Sequence, residues 1–437
     1  MASPNSLSIY EDESFTIHTA LLFSSPYRMF LQNISLVISR TSGLILKTYS
    51  RASASAPDPL PPSDIDLTHL TILPGLVDAH THIFLHAYSE VSATHQMLHE
   101  SPVERILRAS NHARAALDAG FTTYRDLGTE GMATADISLR DAINRGITPG
   151  PRLFIATDPI TTSSSYTIAN ENPTLHVPRL ADEADGTSAL RAAVRRRLGA
   201  GADIIKIYAD QESRAGRYPE PSFPGALPMR FPPLWGDVPQ HITLFTAEEM
   251  AAVVDEAHAA HCPVAAHASS PKAVIRAARA GVDTIEHGQE PSAEAISAMR
   301  KAGCIFVPTL SVMEYEVPAD VLPRMYAHTY AAWKDGVKIA CGGDTGPVPH
   351  GQNVRELELL LGAGVPLADV LAAATVRGWE ACGGEWCGRR FGVLQEGWAA
   401  DIVGLEGDVR EDASALRRVA FVMKDGEVWK RDGRRVG

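Results

Sequence analysis

The constraint that weighs most on the fold is an alternation. Eight short apolar runs, Thr71–Ala79, Gly120–Leu127, Pro151–Ala156, Ala202–Tyr208, Pro263–Ala268, Val282–Glu286, Cys304–Leu310 and Val337–Gly342, recur through the middle of the 437-residue chain, most of them separated by amphipathic helical patterns. Strands in series with helices build a parallel sheet, because each helix supplies the crossover that returns the chain in the same direction. Eight such units predict an α/β fold, and within it a closed (β/α)8 TIM barrel. A doubly wound open sheet competes, but it would usually show a glycine-rich phosphate loop after its first strand, and none is present. Helix starts are marked as well. Ser101-Pro102-Val103-Glu104 reads as a capping box with proline at the first helical position, and Gly120 closes that helix. Thr246-Ala247-Glu248-Glu249 opens another helix, and Asn353-Val354-Arg355-Glu356 reads as a third, with Asn353 as the cap.

The two ends read differently. Thr16–Phe23, Met29–Ser39, Ala400–Leu405 and Val419–Val428 are strand-like, the last broken by the turn signal Asp425-Gly426. A chain this long exceeds the roughly 250–300 residues that one core usually serves. The expected organisation is therefore a barrel over residues 74–387 and one small β-sandwich built from both termini, residues 1–73 and 388–437. A formal charge of −12 argues against a nucleic-acid footprint, which needs a basic face. No stretch approaches the roughly 18–20 apolar residues of a membrane span. Glu11, Asp12 and Glu13 stand where a signal peptide would want a basic segment and an apolar core. Five scattered cysteines fit reduced core thiols. These features together point to a cytoplasmic protein.

The candidate chemistry begins in Pro74-Gly75-Leu76-Val77-Asp78-Ala79-His80-Thr81-His82. Side chains alternate along a strand, so His80 and His82 share a face with Asp78. Two imidazoles at a strand end can grip one divalent ion; taken alone, they read equally well as ordinary strand-end histidines. Lys206 stands in the apolar run Ala202–Tyr208, where lysine is rarely buried unless paired; the simpler reading is a side chain reaching to water. His267, His287 and Asp344 stand within two residues of the ends of the fifth, sixth and eighth runs. Barrel enzymes keep their chemistry at the C-terminal strand ends. Five metal-type side chains and a misplaced lysine on one rim are hard to explain by chance. His258, His261, His95, His99 and His112 read as structural or surface groups.

On these motifs, together with Thr284–His287-Gly288, Gly343-Asp344 and Pro349-His350-Gly351-Gln352-Asn353, the chain resembles the amidohydrolase superfamily, in the branch of prolidase-like carboxypeptidases and ochratoxinase-type amidases. The resemblance implies a centre of two divalent metal ions, zinc first among them, although such ligands also accept manganese, cobalt or iron. His80, His82 and Asp344 would hold one ion, and His267 and His287 the other. Lys206, carboxylated by carbon dioxide to N6-carboxylysine, would bridge them as an anion, which an ammonium cannot do. It further implies that a metal-bridging hydroxide attacks a C–N amide bond, with Asp344 as proton shuttle. Tyr208 would contact a substrate carboxylate, or else pack at the barrel mouth. The chain departs from its relatives after the third strand, where Thr161–Tyr166 holds no histidine; Tyr166 or His176 would fill that place. His350 is a further candidate for substrate contact. Between Asp210 and Thr246 lie seven prolines, several aromatics, Arg214 and Arg217, which reads as a lid. The expected substrate is a small amide, such as an N-acyl amino acid or a dipeptide, with no nucleic-acid or membrane partner and a homo-oligomeric assembly. A cyclic amide, lactone or ester, or a non-catalytic scaffold of the same fold, are the alternatives.

Overall fold

The first apolar run becomes two strands rather than one. Thr71–Pro74 and Leu76–Thr81 are separated by Gly75, whose amide donates to Asp401 O at 2.8 Å. In the computed structural model, which describes residues 13–165, 178–212, 241–290 and 292–436, this is where the chain divides. One compact unit comprises Met1–Gly75 and Arg389–Gly437, the other Leu76–Gly388.

The larger unit contains β1 (Leu76–Thr81), β2 (Phe121–Asp126), β3 (Arg152–Ile155), β4 (Ile205–Tyr208), β5 (Val264–Ala268), β6 (Thr284–His287), β7 (Ile305–Val307) and β8 (Lys338–Ile339). β1, β2 and β3 form one parallel sheet. β4 to β8 run in order through a second, which also takes in the two-residue strands Ile160–Thr161 and Asp182–Glu183 and is parallel at every pairing. Backbone bonds join the two groups at both sides. The amides of Asp203 and Ile204, just before β4, reach Ile155 O of β3 at 2.8 and 3.2 Å; Ala79 N of β1 reaches Cys341 O, past β8, at 2.8 Å.

Period-two patterning decides what each strand presents. Ile205 and Ile207 of β4, Val264 and Ala266 of β5 and Ile285 of β6 pack with Leu190, Val194, Met250, Val253, Val274 and Met299 of the surrounding helices. Burial of each large aliphatic side chain is worth roughly 1.5–3 kcal/mol, which fixes the register. Lys206, His267, Thr284 and Glu286 are thereby forced to the opposite face.

Helix capping follows the sequence at two places and departs from it at a third. Ser101 Oγ accepts from Glu104 N at 3.1 Å to start the helix Pro102–Asp118, but the Glu104 carboxylate turns to Arg108, so the box is only half made. Thr246 and Glu249 form both halves at the start of Ala247–His258. Asn353 precedes Val354–Gly362 without capping it, because its side chain is engaged elsewhere.

In the smaller unit, Ile45–Ser50, Ile34–Ser39, Ser14–His18 and Ile65–Asp66 form one sheet, in that order. The other sheet joins N-terminal and C-terminal segments: Thr71–Pro74 pairs antiparallel with Ile402–Leu405. Phe15, Ile17, Leu36 and Ile38 of the first sheet share one core with Ile72, Ile402, Phe421 and Met423 of the second. Asp425 (φ 48°) and Gly426 (φ 78°) make the tight turn between Val419–Lys424 and Glu427–Arg431, both left-handed as such a hairpin requires. All five cysteines are free thiols. Among the described residues, no helix is long and apolar enough to cross a membrane.

Candidate metal centre

Four histidines, a lysine and an aspartate come together from β1 and the residue after it, from β4, β5 and β6, and from the segment after β8. One ligand atom each from His80, His287 and Asp344 lies within 4.8 Å of the others. Asp344 Oδ1 is 3.3 Å from His82 Nε2 and 3.7 Å from His80 Nε2. The His267 and His287 rings sit 4.4 Å apart, and those of His80 and His287 5.0 Å. Lys206 is 2% exposed, and its charge bears on His80, His267 and His287.

Strand alternation alone does not place all six. His287 follows Glu286 directly and would face the helices, yet its φ of 72° turns the ring back. Asp344 (φ 56°) and Thr309 (φ 51°) are left-handed too. Backbone held in this region by non-glycine residues costs of order 1–3 kcal/mol and concentrates at functional sites.

Three of the four histidines present one ring nitrogen outward because the other is occupied. His80 Nδ1 lies 2.8 Å from Glu286 Oε2, His82 Nδ1 3.0 Å from Gly128 O, and His287 Nδ1 3.0 Å from Thr309 Oγ1. Burial, with Lys206 close by, pushes His80 down to about 4 and His267 to about 3; burial with His267 and His80 pushes His287 well below its usual value. These are neutral imidazoles, the form that ligates metal. His82 differs. Burial would depress it too, but Asp344 and Glu130 override that and hold it up at about 9. Burial would raise the Asp344 carboxyl; His80, His82 and His287 keep it far below the usual range. Burial brings the Lys206 ammonium down to about 8.

Of the other sequence candidates, Tyr208 pairs with His267 across β4 and β5, their rings 5.3 Å apart. His350 is not among the six. It stacks on His112 at 4.1 Å and donates to Leu85 O at 3.1 Å, in the loop after β1. Tyr166, His176 and residues 213–240 of the expected lid lie outside the described residues.

Several functional neighbours escaped the sequence reading. Asp78 shares a face with the histidines but serves as an anchor, accepting from Asn353 Nδ2 at 2.6 Å and Thr345 Oγ1 at 2.8 Å. Glu286 pairs with Arg125 at 2.9 Å, both side chains at most 1% exposed. Glu130 sits 3.3 Å from His82. The signal for Arg125 and Glu286 was present: each is a charge inside an apolar strand, as Lys206 is.

A parallel α/β unit whose strands and the segment after β8 bring together histidines, a lysine and an aspartate defines the class: an enzyme site of the strand-end type. The amidohydrolase family pattern matches residues 71–429, and the chain belongs to that family, a hydrolase acting on carbon–nitrogen bonds, in its prolidase and ochratoxinase branch. Ochratoxinase of Aspergillus niger is 27% identical over 401 residues, which cover 83% of this chain and 76% of that protein. A Xaa-Pro dipeptidase solved with bound methionine in its active site gives a TM-score of 0.78 at 29% identity, covering 96% of this chain and 100% of that one. A prolidase complexed with N-methylphosphonate-L-proline gives 0.75 at 25% identity, covering 96% of this chain and 100% of that one.

Proposed function

We propose that this protein is a binuclear metal-dependent amidase that hydrolyses a small N-acyl amino acid or dipeptide, that its larger unit is a closed (β/α)8 barrel, and that its smaller unit is a β-sandwich made from both termini. Backbone bonds from β3 to Asp203 and Ile204 just before β4, and from β1 to Cys341 past β8, support closure. A core shared by two sheets supports the sandwich.

The residues present fit a pair of divalent ions. Asp344 Oδ1 is buried and, among the described residues, meets no donor at hydrogen-bonding geometry, an expensive state for a carboxylate unless a cation completes it. Neutral His80, His267 and His287 beside it offer bare nitrogens, and this orphaned oxygen is the observation that carries the reading. His80, His82 and Asp344 would hold one ion, zinc being the favoured identity, and His267 and His287 the other; His82 would give up its proton to ligate, and carboxylation of Lys206 would turn a buried ammonium into an anion able to serve both ions. Two such ions supply a water of lowered pKa and polarise a carbonyl group.

The remaining roles fall to the chain. Asp344, held ionised, is in the form that takes a proton from the attacking water and hands it to the leaving amine. Tyr208, toward the rim from Lys206, would meet the substrate carboxylate. The relatives that act on or hold prolyl and amino-acid groups favour a dipeptide-like substrate, and ochratoxinase widens the choice to bulkier amides.

The test is metal content per chain, for wild type and Lys206→Ala prepared with bicarbonate and without chelator, followed by a screen of dipeptides and N-acyl amino acids. About two ions in wild type and markedly fewer in the variant are expected. Equal contents would remove Lys206 as a bridge.

A further inference from the structure

One buried charge pair takes no part in the steps above. Arg125 on β2 and Glu286 on β6 are both 0% exposed. Arg125 Nη2 donates to Glu286 Oε1 at 2.9 Å, and Arg125 Nη1 to Thr284 Oγ1 at 2.9 Å and Ala381 O at 3.2 Å. Its Nε donates to Ala79 O, the carbonyl immediately before His80. Thr284 Oγ1 also donates to Glu286 Oε1. That leaves Glu286 Oε2, which accepts from His80 Nδ1 at 2.8 Å.

Taking two charges out of water is costly, and well-packed apolar residues of the same volume commonly serve stability as well or better. Stability alone therefore does not explain the pair. An ionised carboxylate can only accept, so the proton of the His80 ring must stand on Nδ1, and Nε2 is left bare, 3.7 Å from Asp344 Oδ1. Arg125 grips both the carboxylate and the backbone beside His80, fixing the ring and its attachment together.

We propose that the Arg125–Glu286 pair is the positioning device of the metal centre, holding His80 as its Nδ1–H tautomer with Nε2 free to ligate. The inference rests on the metal-centre reading above. Neither residue touches the reacting atoms. Partners of this kind orient ligands, and their loss typically costs 10–100-fold in metal affinity.

The test uses full-length, 15N-histidine-labelled protein, with the His80 signal assigned by its loss in His80→Gln. In metal-free wild type, His80 is expected to carry its proton on Nδ1. Glu286→Gln should scramble that tautomer and weaken zinc binding, measured by chelator competition, by about 10–100-fold. Should Glu286→Gln fold poorly, the paired replacement Arg125→Met with Glu286→Leu removes both charges; it should melt near the wild-type temperature and still bind zinc as weakly. Variants that keep the wild-type tautomer and affinity would reduce the pair to a structural plug and overturn the inference while leaving the metal centre standing. Wild type that holds no zinc would overturn the metal-centre reading, and this inference with it.

Discussion

Lys206 shows what a single residue can reveal in sequence and what it cannot. A charge in an apolar run announces a special environment, but its partners are set by strands far along the chain. Buried carboxylates carry the same lesson. Asp136 is 0% exposed, and its Oδ2 accepts from Thr157 N at 2.8 Å. Burial outweighs that bond and the one from Ile137, and raises its carboxyl to about 7. The native state therefore binds a proton that the unfolded chain, with an ordinary aspartate, has released above pH 4. Stability should fall as pH rises from about 4 through about 7, by up to roughly 4 kcal/mol. Asp136→Asn keeps an oxygen acceptor for Thr157 and has no proton to lose. Urea unfolding of the variant across that range is expected to lack the Asp136 part of the slope, and an unchanged slope would show that Asp136 is ionised throughout.

At the scale of elements, the capping signals separate local from tertiary chemistry. Thr246 caps its helix at an exposed site, so neighbouring sequence decides its role; Thr246→Ala should cost about 1 kcal/mol in denaturant unfolding and leave metal binding untouched. Asn353 has equally good cap chemistry but is buried, and there the tertiary network wins. Its Nδ2 also reaches Tyr124 Oη at 2.8 Å and Thr345 Oγ1 at 3.1 Å, while Asp78 receives Gly343 N at 3.3 Å. Gly343 and Thr345 flank Asp344, so this network fastens the turn that carries the aspartate. Asn353→Ala should therefore cost about 2–3 kcal/mol, by leaving Asp78 short of a donor, and should also weaken metal retention. A stability loss with unchanged metal affinity would confine Asn353 to packing. The Asp425-Gly426 hairpin was legible for the opposite reason: left-handed backbone at both positions is a local demand that these two residues meet.

For the whole molecule, the alternation of apolar runs made the parallel α/β unit legible, since helix burial dictates which strand face turns away from the helices. It also placed Lys206 and His267, which obey that alternation. The position of His287 was legible only as a strand end, because its left-handed backbone breaks the pattern that would have aimed it outward. Arg125 and Glu286 went unassigned because each is meaningful only against the other, 161 residues away. The cost of this centre, with its buried charges, bare nitrogens and strained backbone, would be offset by anything that binds only the folded chain. If two divalent ions do so, stripping them with chelator should lower the melting temperature, and restoring zinc should recover it in proportion to the logarithm of its concentration. A ligand at a thousand times its dissociation constant contributes about 4 kcal/mol. Lys206→Ala should melt near the temperature of stripped wild type and gain much less from added zinc. Equal stabilisation of wild type and variant would mean that the ions bind elsewhere, and that the converging histidines hold the fold rather than the chemistry.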